Sequence, residues 1–256
     1  MRRIAGALIG VCAYASVAVA GPGDACAIGT HLVQADAPLT RVAAAIKAKN
    51  LKIVVAGTGS STLPGPNGAA SAYPARLEEA LRKKLPDVKV AVISMVKPRQ
   101  TAADMAAEFP KVLATEKPNL VVWQTGTADA MRGVSTDEFQ ATLEQAVAKL
   151  RDGGADVIFM NPQYNPRSDA VIGTAPYTEA IRWVALGNAV NLFDRQSIMR
   201  QWGELGTFDL LAATKSLDTA ANVHDCIGRL LANLVIQGLS VNGGEDQKDQ
   251  KDKKTQ

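Results

Sequence analysis

The sequence predicts an α/β fold in which helices cover both faces of a parallel sheet. Five short apolar runs alternate along the chain with amphipathic stretches of helical periodicity. Strands joined through helices run parallel by right-handed crossovers, which gives a three-layer α/β/α sandwich. No internal repeat or linker divides the 256 residues, so we expect one such domain between two tails.

The five apolar runs have the length and residue types of buried strands. They are Ile53–Ala56, Val88–Val96, Asn119–Gln124, Ala155–Met160 and a weaker run, Ala189–Phe193. The first run organises the chain, because it breaks into the small and hydroxylated residues of the segment Gly57–Thr62. In an open α/β sheet, the carboxyl ends of the strands are where ligands bind. A nucleophile loop suits this turn better than a phosphate cradle, since neither a P-loop lysine nor a full Gly-x-Gly-x-x-Gly is present.

The amphipathic stretches between the runs predict the helices. They are Leu39–Ala48, Tyr73–Leu85, Ala102–Thr115, Thr136–Leu150, Pro176–Leu186 and Thr219–Leu239. Ser135 and Glu138 fit a capping box at the start of the fourth helix, and Gly153-Gly154 fits its end.

The two ends of the chain are predicted to lie outside the domain. Two arginines followed by the apolar run Ile4–Ala20 have the layout of a signal peptide, residues 1–20, cleaved after Ala20; an uncleaved anchor is the alternative. Residues 21–50 form a lead-in, residues 51–240 the domain, and residues 241–256 a polar tail of disordered composition. We therefore expect a periplasmic or secreted protein with no stable membrane span after removal of the signal.

Two of the three cysteines, Cys26 and Cys226, remain in the mature chain. In an oxidising compartment such a pair commonly forms a disulfide, which would tie the N-terminal segment to the last helix. Two unrelated buried thiols are the alternative.

Charge and composition exclude several classes of ligand. The formal net charge is +3, and it falls to +1 once Arg2 and Arg3 leave with the signal. Without a basic excess we expect no nucleic-acid partner. We also expect no metal and no other cofactor, because neither histidine has partners at ligand spacing and the dinucleotide fingerprint is missing.

Nucleophilic catalysis by a serine would have to use one of only two histidines, His31 and His224. His31 lies in the lead-in and is expected at the surface. His224 begins the final helix, where a base would face a serine from the first turn. The alternative for His224 is a helix residue satisfied by Asp218 or by a backbone group.

The segment Thr58-Gly59-Ser60-Ser61-Thr62 resembles the Gly-Asp-Ser-x-Thr block of the SGNH (GDSL-like) hydrolases. These are flavodoxin-like α/β/α esterases and lipases with a serine nucleophile after the first strand. The resemblance spans about Leu51 to Leu239 and implies Ser60 as nucleophile, His224 as base and Asp218 as the residue that orients the base. It also implies Gly126 and Asp129 in the third conserved block, with Asp129 ordering that loop.

The sequence departs from the family pattern at four positions. Gly59 replaces the usual aspartate, and Arg99 lies near the position of the oxyanion-hole glycine, where its backbone N–H can still donate. Ala128 replaces the asparagine that donates to the oxyanion, a loss that typically costs about 2.7–4 kcal/mol of transition-state stabilisation. Asp218 precedes His224 by six residues, whereas the family has an Asp-x-x-His motif.

The loop after the fourth strand contributes Gln163 and Tyr164 as candidate binding residues, although a proline-shaped turn explains it equally well. These observations together predict a serine esterase acting on a small-molecule or polysaccharide acyl ester of the cell envelope. The alternatives are a catalytically degenerate member that binds an envelope glycan or protein, and an accessory protein of an envelope assembly.

Overall fold

The computed structural model describes residues 24–212 and 216–241, apart from the side chains of residues 168–170. The predicted signal peptide and all but the first residue of the predicted polar tail lie outside the described residues. None of the described helices combines the length and hydrophobicity that crossing a membrane requires.

The described residues form one parallel five-stranded sheet with the order β2-β1-β3-β4-β5. The strands are β1 (Asn50–Gly57), β2 (Lys89–Val96), β3 (Leu120–Gln124), β4 (Asp156–Met160) and β5 (Asn191–Phe193). This order is the doubly wound, flavodoxin-like one, and its ligand-binding edge is formed by the carboxyl ends of the strands. The predicted fold class is confirmed, and each predicted strand is present with a shift of a few residues at its ends.

Helices pack on both faces of the sheet. They are α1 (Thr40–Lys47), α2 (Gly68–Ser71), α3 (Tyr73–Lys84), α4 (Ala102–Glu116), α5 (Thr127–Arg132), α6 (Thr136–Asp152), α7 (Pro166–Ile172), α8 (Ala175–Gly187), α9 (Arg195–Glu204) and α10 (Leu217–Gln237). The six predicted helices are among them. Short α2, α5 and α7 and the longer α9 were not predicted, and all four lie in connections that follow the carboxyl ends of strands.

The sheet separates two hydrophobic cores, and β1 contributes to both because its side chains alternate between the faces. Ile53 and Val55 face a core shared with α1, α3, α9 and α10. Val54 and Ala56 face a second core shared with α4, α6 and α8. Because β1 is buried on both sides, its side chains are not accessible to a ligand. We therefore look for functional groups in the turn that follows it.

Close packing of α3 against α10 brings the ends of these helices together near that turn. Gly228 makes the approach possible, because a Cβ there would lie 2.5 Å from Cβ of Arg76 and 2.8 Å from its carbonyl carbon. The position of His224, one turn earlier on α10, is therefore fixed relative to the first turn of α3.

The segment before β1 packs against the rest of the domain. Leu39 and Val42 lie in the first core, and the Asp156 carboxylate at the start of β4 accepts hydrogen bonds from the N–H groups of Arg41 and Val42. A disulfide joins Cys26 to Cys226 across 200 residues of sequence, as predicted, and ties this segment to α10.

Candidate functional site at the carboxyl edge of the sheet

The turn after β1 is a single 3-10 turn, Gly59–Ser61. Gly57 precedes it and has no room for a side chain, since a Cβ there would lie 2.3 Å from Oγ of Ser61. Gly59 is exposed, and a Cβ at this position would meet nothing within 4 Å. Ser60 is half-buried and Ser61 is buried. The turn thus opens to the outside at Gly59 and Ser60.

Gln124, at the end of β3, holds the turn in place. Its Oε1 accepts hydrogen bonds from the N–H of Thr58 at 2.9 Å, from Oγ1 of Thr58 at 3.1 Å and from Oγ of Ser61 at 3.0 Å. Oγ of Ser61 is also hydrogen-bonded to the Tyr73 hydroxyl at 2.9 Å. These contacts commit Ser61 to the scaffold, so Ser60 is the serine of this turn that is left for other roles.

Ser60 contacts an arginine that the sequence analysis did not single out. Nη2 of Arg195 donates to Oγ of Ser60 at 3.2 Å, and Nη1 donates to the Ser60 carbonyl oxygen at 3.3 Å. Within the described part of the chain, no hydrogen bond joins Ser60 to His224. The serine–histidine contact on which the esterase interpretation depends is therefore not formed in this structure, because Arg195 bonds the hydroxyl instead.

His224 serves as a helix cap. It lies two turns into α10, not at its beginning as predicted, and only 7% of its surface is exposed. Its Nδ1 accepts a hydrogen bond of 3.0 Å from the backbone N–H of Tyr73, the first residue of α3. The first N–H groups of a helix lack intrahelical acceptors, so this contact satisfies one of them. A neutral imidazole whose Nδ1 accepts carries its proton on Nε2.

The electrostatic surroundings of His224 oppose a role as general base. Burial, and then the positive charge of Arg195, lower the pKa of His224 to about 4. The predicted partner Asp218 is exposed in the first turn of α10 and makes no hydrogen bond or ion pair with any described residue. Nδ1, the nitrogen that a triad acid would bind, is already occupied by the backbone of Tyr73. The contact with Tyr73 is of the kind that the alternative interpretation expects, in which a backbone group satisfies His224.

Arg195 is the first residue of α9, and only 1% of its surface is exposed. Burial lowers the pKa of its guanidinium to about 10, so the group is still charged at neutral pH. Its Nε finds no acceptor, and it forms no ion pair with a carboxylate among the described residues. Its neighbour Tyr73 supplies no negative charge, because burial raises the pKa of that phenol above its usual value. One signal in the sequence was available: an arginine two residues after the last strand, at the ligand-binding edge of the sheet.

The loop after β3 is organised around Asp129, which is 1% exposed. One carboxylate oxygen accepts from the N–H of Ala102 at 2.9 Å, and the other accepts from the N–H of Gly126 at 3.3 Å. Burial raises the pKa of Asp129, while these backbone donors oppose the rise. Gly126 has φ of 99°, in the left-handed region that favours glycine. Gly126 and Asp129 thus join this loop to the first turn of α4.

The other predicted binding residues lie around the same edge without contacting Ser60. Arg99 is exposed with φ of 65°, and its carbonyl oxygen accepts from Arg132 at 2.8 Å. Gln163 and Tyr164 are half-buried, and the Arg200 guanidinium lies 5.3 Å above the Tyr164 ring. Among the described side chains, no group of three or more histidine, cysteine, aspartate or glutamate residues is arranged to hold a metal ion.

The sequence matches the non-GDSL lipase-like family over residues 25–241. Esterase TesA of Pseudomonas aeruginosa is 38% identical over 71 residues, which are 26% of this chain and 35% of that protein. The match thus spans about a third of the length of that relative.

Solved structures share the fold at low identity. A crystal structure of TesA has a TM-score of 0.57 and 22% identity, covering 72% of this chain and 99% of TesA. A catalytic mutant of Axe2, an acetylxylan esterase from Geobacillus stearothermophilus, has a TM-score of 0.57 and 19% identity, covering 75% and 95% of the two chains. The family match covers most of the chain, and the fold agrees with that of these structures. The chain therefore belongs to the non-GDSL lipase-like family, in the SGNH-like hydrolase superfamily of esterases and lipases.

Proposed function

We propose that this chain is a catalytically degenerate member of its family, exported to the cell envelope, which binds a ligand at the carboxyl edge of the sheet without hydrolysing it. The observation that carries this proposal is the hydrogen bond from the Tyr73 N–H to Nδ1 of His224. This bond uses the lone pair of Nδ1 to cap a helix and leaves the ring proton on Nε2.

Serine hydrolysis needs a base whose lone pair faces the serine O–H. Nε2 of His224 carries a proton and has no lone pair to offer, so the imidazole would first have to break its bond to Tyr73 and change tautomer. A base is most effective when its pKa lies near the working pH, whereas the pKa of His224 is about 4. The Arg195 cation donates a hydrogen bond to the Ser60 hydroxyl, whereas a general base would have to accept one from it.

The oxyanion side of the reaction is weakened as well. Ala128 is buried at the position of the family's asparagine, and a methyl group donates no hydrogen bond. The loss of that donor alone typically costs about 2.7–4 kcal/mol of transition-state stabilisation, a hundredfold or more in rate. No acid among the described residues orients His224 either. The departures from the family pattern therefore affect the base, its orienting partner and the oxyanion hole together.

Ester hydrolysis by Ser60 is the second candidate, and membership of a lipase-like family favours it. In this mechanism Ser60 attacks an acyl carbonyl, His224 takes and returns the proton after reorienting, and backbone N–H groups near Ser60 and Arg99 hold the oxyanion. Relatives of this fold include an acetylxylan esterase, so an acetyl ester of an envelope polysaccharide is the substrate class to test.

Covalent labelling separates the two candidates, because only an activated serine reacts with a fluorophosphonate probe. We expect no label on the mature protein by intact mass, and p-nitrophenyl acetate turnover equal to that of Ser60→Ala. TesA of Pseudomonas aeruginosa serves as the positive control. Labelling that Ser60→Ala abolishes would establish the hydrolase and overturn the proposal.

A further inference from the structure

The guanidinium of Arg195 is a buried positive charge without a counter-charge among the described residues. An isolated charge in a protein interior is strongly unfavourable unless it is paired. The acceptors it binds within the described ranges are the two oxygens of Ser60, both uncharged. His224 and Tyr73, the titratable groups that interact with it, supply no negative charge at neutral pH, and the shifts in their pKa favour the neutral form of each.

The hydroxyl of Ser60 lies between this charge and the protein surface. Its oxygen accepts from Arg195, so its own proton remains available to a third group. Ser60 is half-buried, and beside it Gly59 is exposed with open space where a side chain would lie. A ligand at the turn would therefore contact Ser60 directly and lie next to the buried guanidinium.

We propose that Ser60 and Arg195 form a binding site for a carboxylate group, with the ligand seated over the turn Gly59–Ser61. The ligand accepts a hydrogen bond from the Ser60 hydroxyl, and its charge compensates that of Arg195. This assignment rests on the proposed function and extends it, because it names the chemical class that the non-hydrolytic site holds.

A carboxylate fits this site better than a neutral ester. An ester oxygen can accept a hydrogen bond but leaves the guanidinium charge uncompensated, whereas a carboxylate supplies one full negative charge. A carboxylate oxygen is also the stronger acceptor for the Ser60 hydroxyl, because hydrogen bonds to an ionised acceptor are stronger than those to a neutral one. The site would therefore hold an acid, which is the product of ester cleavage and not its substrate.

The test is thermal unfolding of the mature, disulfide-bonded protein at pH 7 in increasing sodium acetate. Sodium chloride at the same ionic strength and neutral acetamide are the matched references. At tenfold the dissociation constant we expect acetate to raise Tm by about 3–6 °C, in a saturating manner. Acetamide should leave Tm unchanged.

Two variants locate the effect. Arg195→Met should abolish the acetate-dependent rise. Ser60→Ala removes the hydroxyl that donates to the ligand and accepts from Arg195 but keeps the guanidinium, so it should weaken acetate binding about tenfold. Arg200→Met, an exposed arginine on the same helix, should behave as wild type. Far-UV circular dichroism establishes that each variant is folded.

The outcomes separate this inference from the function on which it rests. A rise that survives Arg195→Met, no rise at all, or a rise with inorganic phosphate but not acetate would overturn the carboxylate site. Fluorophosphonate labelling of Ser60, measured on the same samples, would instead overturn the non-hydrolytic function.

Discussion

Two parts of the carboxyl edge treat buried charge in opposite ways. Beyond β5, the Asp194 carboxylate accepts from Nδ2 of Asn161, from both the N–H and the hydroxyl of Ser197, and from the Arg182 guanidinium. The very next residue, Arg195, lies near the turn after β1, and its hydrogen bonds to described residues all go to the oxygens of Ser60. A carboxylate with four donors and a cation with no carboxylate are thus adjacent in sequence.

This difference distinguishes the structural hydrogen-bond network around Asp194 from the proposed binding site at Arg195. The fold supplies Asp194 with a charged partner and caps α9 with it, so the segment does not lack the means to pair a buried charge. Asp194 and Arg195 are neighbours in sequence, but the charged partner of Asp194 is Arg182. Arg195 instead faces the turn after β1. Substitutions in the satisfied environment around Asp194 and Asp129 and in the unsatisfied one at Arg195 should therefore have different effects.

The largest effect is expected at Asp129, which belongs to the satisfied part of the edge. Asp129→Ala leaves the N–H groups of Ala102 and Gly126 without acceptors, at about 1–3 kcal/mol each, so we expect the free energy of unfolding to fall by about 4 kcal/mol in urea titrations. Asp129→Asn keeps one acceptor oxygen and should lose about half as much. Asp137→Ala, at an exposed first-turn acid, is the matched control and should change stability by less than about 0.5 kcal/mol. Equal losses at the two positions would contradict the assigned network.

The second effect is a pH dependence at His224, on the boundary between the two environments. The pKa of His224 is about 4 in the folded state and about 6.5 when unfolded. Between these values the unfolded chain binds a proton that the folded chain does not, so stability falls as the pH falls from 6.5 to 4, by about 3 kcal/mol in total. Urea titrations across this range measure the loss.

Substituting an acceptor that does not titrate isolates the contribution of His224. His224→Asn can still accept from the Tyr73 N–H, so the slope of stability against pH should flatten relative to wild type. His31→Asn, at an exposed histidine, should leave the slope unchanged. A slope that persists in His224→Asn would mean that another group titrates.

The sheet and its main helices were predictable because they follow local patterns. Periodicity within ten or twenty residues located β1 and α6, and a run of β-branched residues ending in glycine located the turn. The capping contact of His224 with Tyr73 could not be predicted, because it joins residues 151 positions apart. The contact of Arg195 with Ser60 spans 135 positions. Local patterns do not show whether the adjacent charges of Asp194 and Arg195, at the start of α9, pair with each other or with distant residues. Which polar residues meet at the edge of the sheet depends on the tertiary fold.

The smallest effect is the most diagnostic of the unsatisfied environment, because its sign is unusual. Most substitutions of a buried residue destabilise, yet replacing an unpaired buried charge with an apolar side chain of similar length can stabilise. Arg195→Met removes the desolvated charge, and the exposed side of the turn lets water reach Ser60. We expect the free energy of unfolding in the absence of any carboxylate to rise by about 1–2 kcal/mol, measured by urea titration at pH 7 in chloride buffer. Arg182→Met, which strips Asp194 of its partner, should instead destabilise, because it leaves a buried carboxylate without its cation. If Arg195→Met were as destabilising as Arg182→Met, Arg195 would be a structural residue with a native counter-charge, and the contrast between the two environments would disappear.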